Sequence, residues 1–291
     1  MLKVFMKTYS DIYLNARRKL RAAGIEAHDL EARLIVCFAS GKTREDYVAS
    51  NRFYVTDAEV ERSVDSLIER RLKGEPVAYL VKEWEFYGLS IMVDESVLIP
   101  RIDSELAAEI SIKLLKRKGW QTRLLDLCAG SGCIGLAISA HVPTCRVVLA
   151  DISEQALAIC RRNMIKNGLS RHVTAIEVDA TERPPALLGR FDVIVSNPPY
   201  IPTQDIQKLD PSVRDYEPHS ALDGGLDGFD FIRAIADYWK PVLKPEGNLV
   251  LECGIGQVDE VCEIMYDAGY KDVKMHTDTG GVERVVVGTL K

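Results

Sequence analysis

No Cys-x-x-Cys pair occurs among the seven cysteines, and their number is odd. Zinc-ribbon and disulfide-framework readings therefore lose their basis, and no metal centre is called for. Reduced thiols in a cytoplasmic protein are the expectation. Long apolar runs are lacking too. No early stretch reaches the length of a signal peptide or a membrane span, and Met1–Met6 already holds Lys3 before a polar helix start. Positive charge is in deficit, with a net charge of -6. Residues 1–80 hold 14 Lys/Arg against 12 Asp/Glu, and the remainder 23 against 31. A basic stripe for duplex DNA is missing, so neither a membrane nor a nucleic acid is the expected partner. What is present suffices for a full core. The chain has 291 residues, 47% of them hydrophobic and 27% charged, enough for one large domain and a small one.

The first 73 residues read as a small helical bundle. Ser10 is placed to cap a helix with Ile12, Ala16, Leu20 and Ala23 on one face, and Gly24 stops it. Leu30, Leu34, Ile35 and Phe38 repeat that spacing. Thr43 to Asp46 resembles a capping box, and Thr56 to Glu59 is a full one, opening a helix that should bury Val60, Val64, Leu67 and Leu72. Residues 74–101 change character. Trp84–Gly88 and Leu89–Val93 alternate around a glycine and read as a β-hairpin linker. Ser104 should then cap a helix running through Leu115.

Residues 102–291 read as one α/β domain. Short apolar runs at Leu124–Cys128, Val147–Ala150, Val173–Val178, Phe191–Ser196 and Asn248–Glu252 alternate with helical patterns. Such runs suit parallel strands covered on both faces. Val273–His276 and Arg284–Thr289 follow, separated only by a turn around Gly280-Gly281. A connection that short forces an antiparallel pair at the end of the sheet.

The first run leads from Asp126 through Cys128 and Ala129 into Gly130-Ser131-Gly132, with Gly135 completing a G-x-G-x-x-G spacing. Glycines admit a close ligand, and the helix N-terminus that follows favours an anionic group. S-adenosylmethionine and NAD both suit such a turn. Asp151, 25 residues after Asp126, ends the second run. An acid there can accept both ribose hydroxyls, or it can merely cap the next helix. Asp179, after the third run, is placed to meet an adenine amine or to be a plain loop acid.

The fourth run enters Asn197-Pro198-Pro199-Tyr200 directly. Two prolines fix their own φ and remove two backbone donors, leaving a rigid surface of acceptors. The Asn197 side-chain oxygen and the Pro198 carbonyl can each accept one N–H of a planar –NH2 group, and Tyr200 can stack on it. An amide or a nucleobase amine fits this description. Hydrogen bonds that strengthen as charge develops on that nitrogen favour the transition state, with no Cys or His needed as nucleophile or base.

With its flanking segments, the loop resembles the protein-(glutamine-N5) methyltransferases that act on peptide-chain release factors, the PrmC/HemK group. The resemblance rests on Gly74-Glu-Pro76, Tyr79-Leu80, Glu85–Gly88, Leu98–Arg101, Ser196–Ile201, Val213–Pro218, Ala221–Gly225 with Asp227-Gly228, Leu251-Glu252, Gly254, Gln257, Asp278, Gly281 and Arg284. It implies a Rossmann-like, seven-stranded class I methyltransferase domain behind a helical domain that recognises a class I release factor, and thus a role in translation termination. The cofactor implied is S-adenosyl-L-methionine, held by Asp126, Cys128, Ala129, Gly130, Ser131, Gly132, Asp151, Asp179, Ala180 and Asn197. Asn197, Pro198, Pro199 and Tyr200 are implied as catalytic and substrate-binding. Adenine-N6 methyltransferases of nucleic acids share Asn-Pro-Pro-Tyr and are the alternative. The chain departs from the family at Cys128-Ala129, where Gly-Thr is usual, at Lys82, a usual glycine, and at Ile102 and Ser104, a usual Pro and Thr. Cys128 is placed to crowd the amino-acid end of the cofactor.

Overall fold

The computed structural model describes residues 7–291. The reading of Met1–Met6 lies outside the described residues. The chain forms two compact units. One comprises residues up to Lys82 together with Pro211–Tyr216, and the other Glu83–Asp210 with Glu217–Lys291. The segment expected as a linker is thus shared between them, its hairpin belonging to the second.

The helical unit contains α1 (Tyr9–Ala22), α2 (His28–Ser40), α3 (Arg44–Ser50), α4 (Ala58–Leu72) and α5 (Val77–Val81). Its caps correct two expectations. Thr8, not Ser10, caps α1, and it exchanges side-chain and backbone bonds with Asp11. Asp57, not Thr56, caps α4 by accepting the Glu59 amide. Aspartate at that place accepts the free amides and adds a favourable charge at the helix start. The box at Thr43 and Asp46 forms as expected. In α2 the buried face is Glu31, Ala32, Ile35 and Val36, while Leu30 and Phe38 are exposed. The cause is Glu31, which turns inward to take a two-pronged bond from Arg71 of α4 at 2.6 and 3.1 Å. Removing one partner of such a buried pair costs about 3–5 kcal/mol. In α4, Ile68 rather than Leu72 completes the buried stripe.

The second unit begins with β1 (Glu83–Phe86) and β2 (Leu89–Met92), an antiparallel hairpin. Tyr87 and Gly88 both have positive φ at its two-residue turn, the conformation that matches strand twist. Lys82 sits just before it at φ 59°. After a 3₁₀ turn come α6 (Glu105–Lys118), β3 (Arg123–Leu127), α7 (Cys133–His141), β4 (Arg146–Asp151), α8 (Glu154–Lys166), β5 (Val173–Glu177) and β6 (Phe191–Ser196). Beyond α9 (Pro211–Arg214), a piece of the helical unit, follow α10 (Asp230–Tyr238), β7 (Leu243–Glu252), α11 (Val258–Asp267), β8 (Lys271–Thr277) and β9 (Glu283–Thr289).

The sheet has seven strands in the order β5-β4-β3-β6-β7-β9-β8. The first five strands pair in parallel, and β9 inserts antiparallel between β7 and β8. The expected closing pair is therefore present. In β3, Leu124, Leu125 and Leu127 are all fully buried because helices cover both faces. Leu125, Leu127, Ile194, Leu249 and Leu251 share one core with Ile232 and Ile235 of α10, Trp239 just after it, and Val261 and Met265 of α11. Leu149, on the alternate face, packs under the start of α7, where a Cβ on Gly135 would lie 2.3 Å from its Cδ2. The chain runs outward from β3 to β5, then crosses back to β6. That reversal opens a crevice at the carboxyl ends of β3 and β6. Among the described residues no helix is long and apolar enough to cross a membrane.

Candidate active site

A cavity of about 590 Å³ lies at these strand ends, entirely within the second unit. Its volume suits a cofactor-sized ligand. The turn after β3 forms the floor. Cys128, Ala129, Gly130 and Ser131 line it, with φ 57° at Cys128 and φ 54° at Gly130. A Cβ on Gly130 would meet nothing within 4 Å, so that glycine leaves space open to a ligand. Gly132 stands behind the wall, where a Cβ would lie 2.8 Å from Leu149. Asp126 is likewise buried beneath the turn. It accepts the Gly135 amide at 2.8 Å, in the first turn of α7, and its Oδ1 has no partner. Burial pushes this carboxyl up to about 7, against the pull of the Gly135 bond.

Asp151 ends β4 and borders the cavity. One oxygen accepts the Gly130 amide at 2.8 Å and the other the Ser153 amide at 2.9 Å. The cap of α8 is the Ser153 hydroxyl. Asp151 is thus free of capping duty, and each of its oxygens retains lone-pair capacity. Burial raises its carboxyl above the usual range, opposed by those backbone bonds. Asp179 and Ala180 lie further along the wall. Asp179 Oδ1 accepts from both the amide and the hydroxyl of Thr181. The fully buried Trp239 indole donates to the Ala180 carbonyl at 2.9 Å and fixes this corner.

Asn197 and Pro199 border the cavity, while Pro198 and Tyr200 do not. Pro198 is buried. Tyr200 packs its ring against the core beside Gly254, and burial pushes its hydroxyl up to about 12. The loop is held by backbone pairing across Ile201 and Leu222–Gly224, and the Gln257 amide donates to the Tyr200 carbonyl at 2.9 Å. The Asn197 amide nitrogen donates to the Ser104 hydroxyl at 3.1 Å. Ser104 precedes α6 but makes no capping bond there, which corrects its expected role. The Cys128 thiol is raised well above its ordinary value by burial and by nearby Asp151, so it stays protonated and is no nucleophile.

Residues not singled out from the sequence complete the wall. Ser96, Val97, Leu98, Pro100 and Arg101 form one side. Pro218, His219, Asp223 and Phe231 add to it. Glu217, 6% exposed, accepts the Ile99 amide at 3.2 Å and pairs with Arg101, tying the two segments together. Their only signal lay in the segments that carry the resemblance, since neither has a helix or strand period. Asn163, fully buried, accepts the Met92 amide at 2.7 Å and donates to the carbonyls of Met92 and Ser131, clamping the hairpin and the glycine turn to α8. Among the described residues no cluster of His, Cys, Asp or Glu could hold a metal ion.

A sheet in this strand order, with a glycine turn after β3 and an acid ending β4, is that of a class I methyltransferase. A family model described as the methyltransferase small domain matches residues 101–209, and one described as the PrmC N-terminal domain matches residues 11–81. The release factor glutamine methyltransferase of Geobacter sulfurreducens is 39% identical, over 94% of this chain and 94% of its own. That of Agrobacterium fabrum is 36% identical, over 96% of each. Among solved structures, the hMettl16 catalytic domain in complex with the MAT2A 3'UTR hairpin 6 superposes with a TM-score of 0.57 at 16% identity, covering 70% of this chain and 77% of that one, a likeness of fold. The chain belongs to the release factor glutamine methyltransferase family.

Proposed function

We propose that this protein transfers a methyl group from S-adenosyl-L-methionine to the side-chain amide nitrogen of the glutamine in the Gly-Gly-Gln loop of a class I release factor. The observation that carries this reading is the Asn197 amide. Its nitrogen is engaged by Ser104, so its oxygen is left for the cavity. An acceptor fixed there suits an N–H of a carboxamide. The cofactor fits the open floor at Gly130 and the remaining lone pairs of Asp151, and it supplies an electrophilic methyl group.

The chain's own residues do the rest. Asp151 and the Gly130 turn hold a ribose diol and keep the cavity floor in shape. Asn197 aims the amide nitrogen, whose lone pair is otherwise delocalised. As the nitrogen takes the methyl it becomes more positive, its hydrogens become better donors, and the Asn197 acceptor binds it more tightly. One proton then leaves to solvent. No cysteine is placed to take part, because burial keeps the thiols protonated.

A Gly-Gly-Gln loop is slim and offers little contact area, so affinity must come from elsewhere. We assign that role to the helical domain, expected over residues 1–73 and followed by the 74–101 linker. Seven unpaired cysteines suit a reducing compartment, and we assign the cytoplasm. The test is to incubate the protein and labelled S-adenosylmethionine with intact release factor, its Gln→Ala loop variant and an unmethylated DNA duplex. Label is expected on the intact factor alone. Label on the duplex, or equal label on the loop variant, would favour the adenine alternative or another acceptor.

A further inference from the structure

Asn163 is fully buried in α8 and directs its side chain to main-chain atoms of two other segments. Its Oδ1 accepts the Met92 amide at 2.7 Å. Its Nδ2 donates to the Met92 carbonyl at 3.0 Å and to the Ser131 carbonyl at 2.9 Å. Met92 is the last residue of β2, and Ser131 stands in the glycine turn on the cavity wall. One carboxamide thus joins the hairpin to the floor of the cavity.

Three partners fix its orientation. Toward Met92 it pairs as a neighbouring strand would, accepting from the N–H and donating to the C=O. Turned over, its oxygen would meet two carbonyl oxygens and its –NH2 would meet an N–H. The second Nδ2 hydrogen is therefore committed to Ser131. That carbonyl lies ahead of the α7 ladder, which starts with the Gly132 carbonyl accepting the Leu136 amide at 2.9 Å. The other side of the same peptide is held as well, since the Gly132 amide donates to the Ala129 carbonyl at 2.7 Å. A planar peptide gripped at both its oxygen and its N–H cannot rotate. The Ser131 hydroxyl, in a residue 2% exposed on the cavity wall, has no hydrogen-bond partner and is left for a ligand.

Resting on the reading of the cavity as an S-adenosylmethionine site, we propose that Asn163 is a positioning residue for the cofactor. It fixes the Ser131 peptide against the hairpin, so that seating of the hairpin and binding of the cofactor favour each other. Asn163 does not border the cavity and acts through Ser131. Such coupling is reciprocal: a turn steadied by the hairpin binds the cofactor more tightly, and bound cofactor steadies the hairpin. Neighbours on α8 separate this role from simple attachment. Asn167 Nδ2 donates to the Ser90 carbonyl at 3.1 Å, and Lys166 pairs with Glu83 at 2.7 Å. Both fasten the hairpin without reaching the glycine turn.

The experiment compares wild type, Asn163→Ala, Asn163→Asp and Asn167→Ala in the full chain. Titration calorimetry gives Kd for S-adenosylmethionine and its demethylated product, and hydrogen exchange is followed at the Met92 amide with and without that product. Asn163→Ala should raise Kd by about tenfold, the order expected when a buried hydrogen-bonding group loses its partner. Its kcat at saturating cofactor should fall far less. Asn167→Ala should bind as wild type does. In wild type the product should slow exchange at Met92. Asn163→Asp keeps an oxygen for the Met92 amide but, ionised, has no hydrogen for Ser131, so that slowing should be lost. An Asn163→Ala protein with wild-type affinity would overturn the proposal, as would an Asn167→Ala protein weakened to the same degree. Should the Asn163 variants not fold, the wild type decides, because Met92 exchange indifferent to bound product rejects the coupling by itself. A wild type that binds neither S-adenosylmethionine nor its product defeats the reading of the cavity, a result distinct from tight binding indifferent to Asn163.

Discussion

Asp151 accepts the Gly130 amide at 2.8 Å, which joins the turn after β3 to the end of β4. One carboxylate therefore both shapes the cavity floor and borders the cavity. Asp151→Ala should weaken S-adenosylmethionine by roughly 1–3 kcal/mol, the range for leaving a buried partner unpaired. Titration calorimetry checks this, with the demethylated product and NAD as further ligands. The product should bind and NAD should not. Comparable NAD affinity would return the glycine turn to a dinucleotide site.

Cys128 holds a left-handed conformation, φ 57°, in which glycine is at ease and other residues are not. That conformation costs a residue with a Cβ roughly 1–2 kcal/mol. Cys128→Gly should thus raise the unfolding free energy by about 1 kcal/mol, after allowance for the thiol's lost packing. Turnover should stay at the wild-type level, since the protonated thiol has no chemical part. Urea unfolding and steady-state rates test the two halves separately. A dead but folded variant would show that the thiol contributes to the reaction.

Asp126 gives a pH signature in the cofactor-free protein. Its carboxyl titrates at about 7 when folded, against 3.8 when exposed. Between those values the folded state holds a proton that the unfolded chain has released. Stability from this group is therefore fully present at low pH, is lost as pH rises from about 4 to 7, and levels off above. Asp126→Asn keeps an oxygen for the Gly135 amide and has nothing to titrate. The variant's stability relative to wild type should climb across that window, by on the order of 4 kcal/mol at the upper bound of a three-unit shift. Glu252 titrates in the same range but is common to both proteins and cancels. Denaturation midpoints taken at steps of pH should diverge, and parallel curves would mean that Asp126 is ionised throughout.

Much of the architecture was legible because periodicity reports burial. All seven strands lie where apolar runs predicted them, and the short turn at Gly280-Gly281 gave the antiparallel end. Helix faces were read less well, where a polar residue had a buried partner far along the chain. Glu31 looks like a surface residue until Arg71, 40 positions away, is seen beside it. At the site, residues carried by a strand end followed from pattern: Gly130, Asp151 and Asn197 all border the cavity. Ser104, Arg101 and Glu217 did not, because their parts depend on side-chain partners that no spacing rule connects. Asn197 and Ser104 are 93 positions apart. Ser104 resembled a helix cap by its place before α6, but in the structure a tertiary partner prevails over that local rule.

Gly224 tests how firmly the loop geometry matters. A Cβ there would lie 2.7 Å from the Tyr200 Cα and 2.9 Å from the Pro199 carbonyl oxygen. Both are backbone atoms of the loop that carries Asn197, so no side chain can swing aside to make room. Gly224→Ala must push the Asn197–Tyr200 segment by several tenths of an ångström. The backbone pairing of Gly224 with Ile201, at 2.9 Å, transmits that shift. A misplacement approaching 1 Å costs about a hundredfold in rate, because aiming of the nitrogen is lost. The expected outcome is a kcat lowered by about that factor, with cofactor affinity changed far less. The glycine turn and Asp151 stand on other strand ends, which is why the two should separate. Calorimetric cofactor binding alongside single-turnover rates distinguishes the possibilities. A rate near wild type would mean that the loop gives way without moving Asn197. Equal loss of both would mean that Gly224 supports the cavity as a whole rather than the acceptor alone.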